Sequence, residues 1–323
     1  MCTAIWDAGL MGRTLDLERS LSEKIVLMPR EYPLKFLHEG EVKAHPAIIG
    51  TATVREGFPL YYDAMNEAGL AVCGLNFPKY GHYCKRRDGA RNIASFEFVP
   101  LILSRCKSVA DARELLLNAV ICDDSFSKEL AATPLHWMIG DSMGCIVVEP
   151  CESGLKVYDN PVGVLTNSPP LPYHLTRLAD YAGLGAENPD NRLSDYTPMV
   201  YSRGLGSFGL PGDYSSSSRF TRAVFIRAHT KRCDKPVTRF FRMAEGVSVP
   251  RGCIVCEFGR EVATVYTSCM DLLQGYYYYT TYGSHAIHAV GFDGENIDSE
   301  NLTVYPHSTE EIIIREGRKS DFR

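Results

Sequence analysis

The order of segments in this 323-residue chain predicts an α+β fold of antiparallel sheets with helices packed outside them. Three observations lead there. β-rich stretches with period-2 alternation cluster at the start, in the middle and at the end of the chain. Helical periodicity occupies two blocks between them. Nowhere does strand alternate with helix one by one, as a parallel sheet requires.

The early strands are 2 to 7, 25 to 30, 47 to 54, 59 to 65 and 69 to 76, the last two flanking the turn signal Asn66-Glu67-Ala68-Gly69. From 91 to 121, Ile93, Phe96, Val99 and Leu103 fall at helical spacing. Ser108-Val109-Ala110-Asp111 before an Ala/Leu-rich run resembles a capping box, so two successive helices are expected there. Residues 135 to 166 read as a strand meander, and 172 to 182 as a helix. The Gly-, Asp- and Pro-rich stretch 183 to 213 is too long for an ordinary connection and reads as a functional segment or an assembly arm. Helices are expected at 217 to 231 and 236 to 246, and strands at 261 to 268, 275 to 281 and 285 to 290. With no internal repeat and no clean linker, residues 1 to 323 are expected to form one domain.

Apolar residues make up 45% and charged residues 23%, as in a globular protein. A net charge of −5, with no basic run beyond Lys85-Arg86-Arg87, argues against a nucleic-acid surface. The first thirty residues carry charges throughout and lack the apolar run of a signal peptide, and no stretch is long enough to span a membrane. A cytosolic protein is expected, and its eleven cysteines then read as mostly buried thiols.

Several motifs match a pattern without its context. Gly140-Asp141-Ser142-Met143-Gly144 has the G-x-S-x-G spacing, but a strand-like segment leaves it, so a hairpin turn is expected rather than a nucleophile elbow. Gly204-Leu205-Gly206-Ser207-Phe208-Gly209 runs straight into Pro211 and Gly212, where no phosphate-binding helix can begin. Cys253-Ile254-Val255-Cys256 has the spacing of a zinc or redox pair but no second pair, and reads as two buried structural cysteines. A non-catalytic metal or redox module built on it is the competing function class. His136 and His174 read as core or surface residues rather than ligands.

Cys2 carries a sharper chemistry. A small second residue permits removal of Met1, which would leave Cys2 with both a thiol and a free α-amine. An α-amine has a pKa of about 7.7 to 8.0, so a neutral fraction can take the thiol proton and later return one to a leaving amine. Such a site needs a cation, an anion and oxyanion donors. Arg13 and Asp16 are expected on the strand antiparallel to Cys2, after a turn at Ala8 and Gly9.

Nine ordered blocks then carry a resemblance: Met1-Cys2-Thr3; Gly12-Arg13-x-x-Asp16; Met65-Asn66-Glu67-x-Gly69-Leu70; Gly74-Leu75-Asn76-Phe77-Pro78; Leu135-His136-Trp137; Val147-Val148-Glu149; Leu165-Thr166-Asn167-Ser168-Pro169; Gly209-Leu210-Pro211-Gly212-Asp213; and Ser218-Arg219-Phe220. Over nearly its whole length the chain resembles the choloylglycine hydrolase family, the conjugated bile salt hydrolases and penicillin V acylases. The resemblance implies a four-layer αββα N-terminal-nucleophile sandwich with two antiparallel sheets. It also implies a homotetramer, the arm being 183 to 213, and catalytic residues at Cys2, Arg13, Asp16, Asn76, Asn167 and Arg219. Arg13 and Arg219 would stabilise thiolate and developing charge, Asp16 would accept from the α-ammonium, and Asn76 and Asn167 would donate to the oxyanion. No metal or organic cofactor is expected.

Two features depart from the family pattern. The first hairpin is short, bringing Arg13 closer to Cys2 than is common, and Thr14 stands where the family often has Asn. Asn76 within Gly-Leu-Asn-Phe-Pro resembles the bile salt hydrolase version of that block. The expected partner is therefore a small amphipathic amide, a glycine- or taurine-conjugated bile salt. A penicillin V or N-acyl-homoserine lactone acylase is the alternative. Leu15, Phe58, Tyr62 and the loop Asp124 to Thr133 are the expected pocket segments.

Overall fold

The structure is a computed structural model and describes residues 1 to 315. Two large antiparallel sheets face each other. The first has six strands in the spatial order Val164–Leu165, Cys2–Asp7, Leu10–Leu17, Ala263–Asp271, Tyr276–Thr281 and Ser284–Gly291. The second has eight, with Leu135–Gly140 beside Ala71–Asn76 near its middle and Thr303–Pro306 at one edge. Helices Phe98–Arg105 and Val109–Leu116 pack on the outer face of the eight-stranded sheet, and Ser216–His229 and Pro236–Glu245 on that of the six-stranded sheet. This is the αββα sandwich that the sequence predicts.

Burial follows from the alternation. Met11, Met65, Cys73, Leu75 and Met138 belong to one apolar cluster that includes the space between the sheets. Phe98, Ile102, Trp137 and Val148 belong to a second, beneath the first helix pair. Ser108 caps its helix as the capping box predicts, its side chain accepting from the Asp111 amide at 3.1 Å. Asn66 ties the first helix down, its Nδ2 donating to the carbonyls of Leu103 and Cys106 at the helix C-terminus.

Segment 91 to 121 contains the two successive helices expected, Phe98–Arg105 and Val109–Leu116. Its helices are flanked by two short parallel strands, Arg91–Ala94 and Ala119–Cys122. Ile93 thus faces the core from a strand, and its helical spacing to Phe96 reflects only the single 3₁₀ turn Ser95–Glu97 that follows. A strand of four residues offers too few positions to display a period. The short hairpin of Leu34–Phe36 with Gly40–Val42 escapes the sequence for the same reason. The Gly140 to Gly144 stretch is the hairpin turn expected, joining two antiparallel strands.

The Cys253 and Cys256 expectation is corrected. Cys253 is exposed and Cys256 half-buried, in a turn-rich loop. Pro250, which has no amide hydrogen, and Gly252 at φ 88° break the extended run that would have buried them.

Candidate active site

Cys2 opens a strand held on both sides, by Leu10–Leu17 and by Val164–Leu165, so the start of this chain is pinned within a sheet. The link to the second strand is a two-residue turn with both residues left-handed, Ala8 at φ 51° and Gly9 at φ 87°. Such turns match the twist of a hairpin and fix its register. Cys2 is thereby paired with Leu15, and Ala4 with Arg13.

Paired residues share a face and neighbours along a strand alternate. Cys2, Ala4, Arg13 and Leu15 therefore point to the interior of the sandwich. Thr3, Thr14 and Asp16 point to the outer, helix-covered face. The catalytic candidates thus reach Cys2 from two sides of one sheet.

On the outer side, Arg219 projects from Ser216–His229 and is fully buried. Its Nη1 donates to the Cys2 carbonyl at 2.6 Å and to Thr3 Oγ1 at 2.7 Å, and its Nη2 to Asn167 Oδ1 at 2.7 Å. Burial works against this charge and lowers the Arg219 pKa, while Asp16 and Cys2 act in the opposite direction. Asp16 is held by Thr264 Oγ1 at 2.7 Å and Thr14 Oγ1 at 3.2 Å.

Asn167 follows the edge strand Val164–Leu165. Its Oδ1 accepts the Cys2 backbone N–H at 2.9 Å, and its Nδ2 donates to the Asn76 carbonyl at 2.8 Å. With Met1 in place the Cys2 nitrogen is a peptide amide, and its acceptor is Asn167. Met1 is bracketed by the Asp16 main chain, its terminal nitrogen donating to Asp16 O at 2.5 Å and its carbonyl accepting from Asp16 N at 2.9 Å.

Two buried histidines frame the Asn167 turn, a role that sequence spacing did not reveal. His136 Nε2 lies 2.9 Å from the Thr166 carbonyl, and its Nδ1 lies 3.1 Å from Glu149. His174 Nε2 lies 3.0 Å from the Asn167 carbonyl, and burial lowers the His174 pKa. Both are core residues, as the sequence suggests.

On the inner side, Arg13 donates to the carbonyls of Gly74 and of Tyr62, the latter at 3.3 Å. Its Nη2 has no partner among the described residues. Burial opposes the Arg13 charge, but Cys2, Tyr266, Asp63 and Cys73 outweigh it and hold the guanidinium more firmly protonated than usual. Asp63 lies deep in the sandwich and accepts from Tyr266 and from Tyr277, the latter at 2.7 Å. Burial pushes its carboxyl pKa up, against the pull of Arg13 and of these hydroxyls. Asp63 was not singled out from the sequence, since its place depends on how the two sheets face each other.

Cys2, Arg13 and Asn76 share a cavity of about 340 Å³. Leu15 and Tyr62 line it, as do Phe126 and Leu130 of the loop after Asp124. Tyr62 is tethered by its hydroxyl, 2.8 Å from Thr53 Oγ1. Phe58 is corrected: it stands behind the wall, its ring 6.0 Å from that of Phe96 and 6.3 Å from that of Phe126. Phe58 has the same strand parity as Leu60 and Tyr62, which line the cavity, but as the first residue of Phe58–Asn66 it lies beyond the lining.

An αββα sandwich with a cysteine at the head of a central strand, buried against arginines and beside an apolar cavity, defines an N-terminal-nucleophile hydrolase. The chain belongs to the linear amide C–N hydrolases, choloylglycine hydrolase family, whose model matches residues 2 to 305. It is 39% identical over 317 residues to a bile salt hydrolase/transferase of Lactiplantibacillus plantarum, covering 96% of this chain and 98% of that protein. A bile salt hydrolase/transferase of Clostridium perfringens is 37% identical over 306 residues, 93% of each chain. The solved structure of the mutant C2A conjugated bile acid hydrolase from Clostridium perfringens superposes with a TM-score of 0.92 at 35% identity, covering 98% of this chain and 100% of that one. Penicillin V acylase from Agrobacterium tumefaciens shares the fold at a TM-score of 0.74 and 18% identity, covering 94% of this chain and 90% of that one. Among the described residues no helix is long and apolar enough to cross a membrane.

Proposed function

We propose that this linear-amide hydrolase cleaves glycine- or taurine-conjugated bile salts, with Cys2 as nucleophile once Met1 is removed. One observation carries the substrate class. The cavity beside Cys2 is apolar over most of its wall, and Arg13 is the one charged side chain among the described residues lining it. A rigid apolar ring system ending in a polar amide and an acid matches that distribution. The relatives named above as bile salt hydrolases support the same reading.

In the proposed reaction the α-amine of Cys2 takes the thiol proton, and Sγ attacks the amide carbonyl. Arg13 faces the charge that develops there. The oxyanion is assigned to the Asn76 side-chain amide, which lines the cavity, with Asn167 contributing the Nδ2 hydrogen not spent on the Asn76 carbonyl. Collapse of the intermediate breaks the C–N bond, and the α-ammonium protonates the departing amine. Water activated by the α-amine then hydrolyses the acyl-thioester. Asn167 Oδ1 orients the α-amine, Arg219 fixes the Cys2 carbonyl, and loss of Met1 opens the Asp16 main chain and its surroundings to the new ammonium. The chemistry calls for neither metal nor organic cofactor.

A second reading follows from two of the relatives' names, hydrolase/transferase. An amine in place of water would accept the acyl group from the thioester. Release of glycine or taurine from glycocholate and taurocholate, compared with penicillin V turnover, tests the substrate. Rapid penicillin V turnover without bile salt turnover would overturn it. Intact mass tests the nucleophile, since active protein that retains Met1 has no α-amine at Cys2.

We also assign residues 183 to 213 to assembly as an arm of a single domain, in a homotetramer. Leu193, Met199 and Tyr201 on this stretch are 94%, 85% and 77% exposed, an apolar display suited to a second copy. Light scattering of the full chain and of an arm-deleted variant tests this. The free state of all eleven cysteines fits the reducing cytosol expected from the sequence.

A further inference from the structure

We infer that His38, Cys122 and Asp124 form a binding site for a divalent transition-metal ion of the zinc type, at the root of the loop that walls the cavity. Three separate parts of the backbone converge there. His38 lies in the turn of the small hairpin Leu34–Phe36 with Gly40–Val42. Cys122 ends the strand Ala119–Cys122 and is buried. Asp124 starts the loop that continues to Thr133.

One donor atom from each of the three lies within 4.8 Å of the others. His38 Nε2 is 2.7 Å from Asp124 Oδ2. Around a tetrahedral zinc, with ligand bonds of about 2.0 to 2.3 Å, neighbouring donors stand roughly 3.3 to 3.8 Å apart. The histidine–aspartate contact would open by under about 1 Å and the cysteine would close by a similar amount.

The chemistry of the set selects the ion. Thiolate and imidazole beside one carboxylate suit zinc or cobalt and are foreign to magnesium or calcium, which take oxygen. The surroundings favour a cation. Glu97 is buried near His38, and its Oε1 accepts from the Leu37 amide at 2.7 Å, fixing the backbone next to the ligand. Asn92 Oδ1 lies 3.6 Å from Cys122 Sγ and holds the thiol in place. The facing charges are Glu97, Glu39 and Asp123; Glu39 pairs with Arg91 and Arg105, and Asp123 with Lys85.

The consequence concerns the cavity wall rather than the bond-breaking step. Phe126 and Leu130 to Thr133, which line the cavity, all follow Asp124 on one loop. A metal at its root would tie that loop to the hairpin and to a buried strand, and so limit how far the wall can move.

The test uses the full chain carrying Cys2→Ala, so that the catalytic thiol binds no metal. Cobalt(II) is titrated as a spectroscopic substitute for zinc, and zinc binding is followed by calorimetry. The expected result is one equivalent bound, with a thiolate-to-cobalt absorption band. Cys122→Ser should remove that band, and His38→Ala and Asp124→Asn should each weaken binding at least about tenfold. Zinc should also slow proteolysis within 124 to 133 in the parent and not in Asp124→Asn, a variant that keeps the shape of the side chain. A band that survives Cys122→Ser but is lost with Cys253→Ser would place the metal at the exposed cysteine pair and overturn the inference. Absence of any saturable binding at micromolar metal would overturn it as well.

Discussion

The Cys2 nitrogen donates to Asn167 Oδ1 at 2.9 Å across 165 residues of sequence. This one contact joins the nucleophile's strand to the turn after the edge strand, and the same oxygen receives Arg219 at 2.7 Å. Asn167→Ala should therefore lower kcat for amide release by about 10²- to 10³-fold, the typical cost of one donor or orienting group in such a site. KM should change little, because Asn167 does not line the apolar wall. A steady-state assay with glycocholate checks the split, and an unchanged kcat would remove Asn167 from the mechanism.

Arg219 is buried and serves four acceptors, the carbonyls of Tyr214 and Cys2, Thr3 Oγ1 and Asn167 Oδ1, so its loss uncovers all of them. Arg219→Met should destabilise the fold by about 3 to 5 kcal/mol, the usual result of leaving buried polar groups without their charged partner. Arg219→Lys should recover part of the stability but not the activity, since a single ammonium cannot reproduce the planar fork. Urea unfolding of both variants beside the parent decides the point.

Asp63 offers a parallel case on the inner side. Asp63→Asn would leave Arg13 without its buried counter-charge and weaken the bonds from Tyr266 and Tyr277. A loss of about 3 kcal/mol is expected, toward the lower end for a disrupted buried pair because the two groups are not in direct contact. Equal urea midpoints for variant and parent would show that the tyrosines alone hold this region.

His307 makes stability depend on pH. It stacks on Tyr279 with ring centres 4.8 Å apart, and burial, with His288 nearby, lowers its pKa to about 4. In the unfolded chain a histidine titrates near 6.5, so between these values the unfolded state binds the proton and the folded state does not. The stabilisation from keeping His307 neutral is full above about pH 6.5 and lost as pH falls toward 4, amounting to about 3 kcal/mol. Unfolding midpoints at pH 7 and 4.5 should differ by less in His307→Phe than in the parent.

Phe58 supports the cavity from behind, through Phe96 and Phe126. Phe58→Ala should raise KM for a bulky bile salt several-fold while leaving kcat close to the parent value. A fall in kcat alone would mean that the ring acts on Cys2 through the sheet instead.

Much of this was legible in the sequence. The element order pointed to antiparallel sheets with helices outside them because each helix block is bounded by long period-2 segments. The family resemblance implied the four-layer sandwich, and Cys2, Arg13, Asp16, Asn76, Asn167 and Arg219 each sit inside one of the blocks that carry it. What could not be read depends on register and on sheet-to-sheet packing. Sequence spacing placed Arg13 and Asp16 near Cys2 but not on opposite faces of its sheet. It named Asn167 as a donor, without showing that its oxygen would meet the Cys2 nitrogen. Asp63 matters through tyrosines 203 and 214 residues away, and His136 and His174 through the carbonyls of the Asn167 turn, and no local period marks them.

One residue of Ala263–Asp271 shifts the strand's phase. Thr264 pairs with Asp16, and Tyr266 rather than Val265 pairs with Leu15, so the ladder slips by one position between them. Such a bulge re-aims the side chains that follow it. Thr264 reaches Asp16 on the helix-covered side, while Tyr266 reaches Asp63 on the inner side, although the two are separated by an even step that would normally put them together. The strand thus works as a parity inverter. Were the strand to run regularly through Thr264, Val265 and Tyr266 without the slip, both side chains would fall on one face, and either the support of the terminus or the support of Arg13 would be lost.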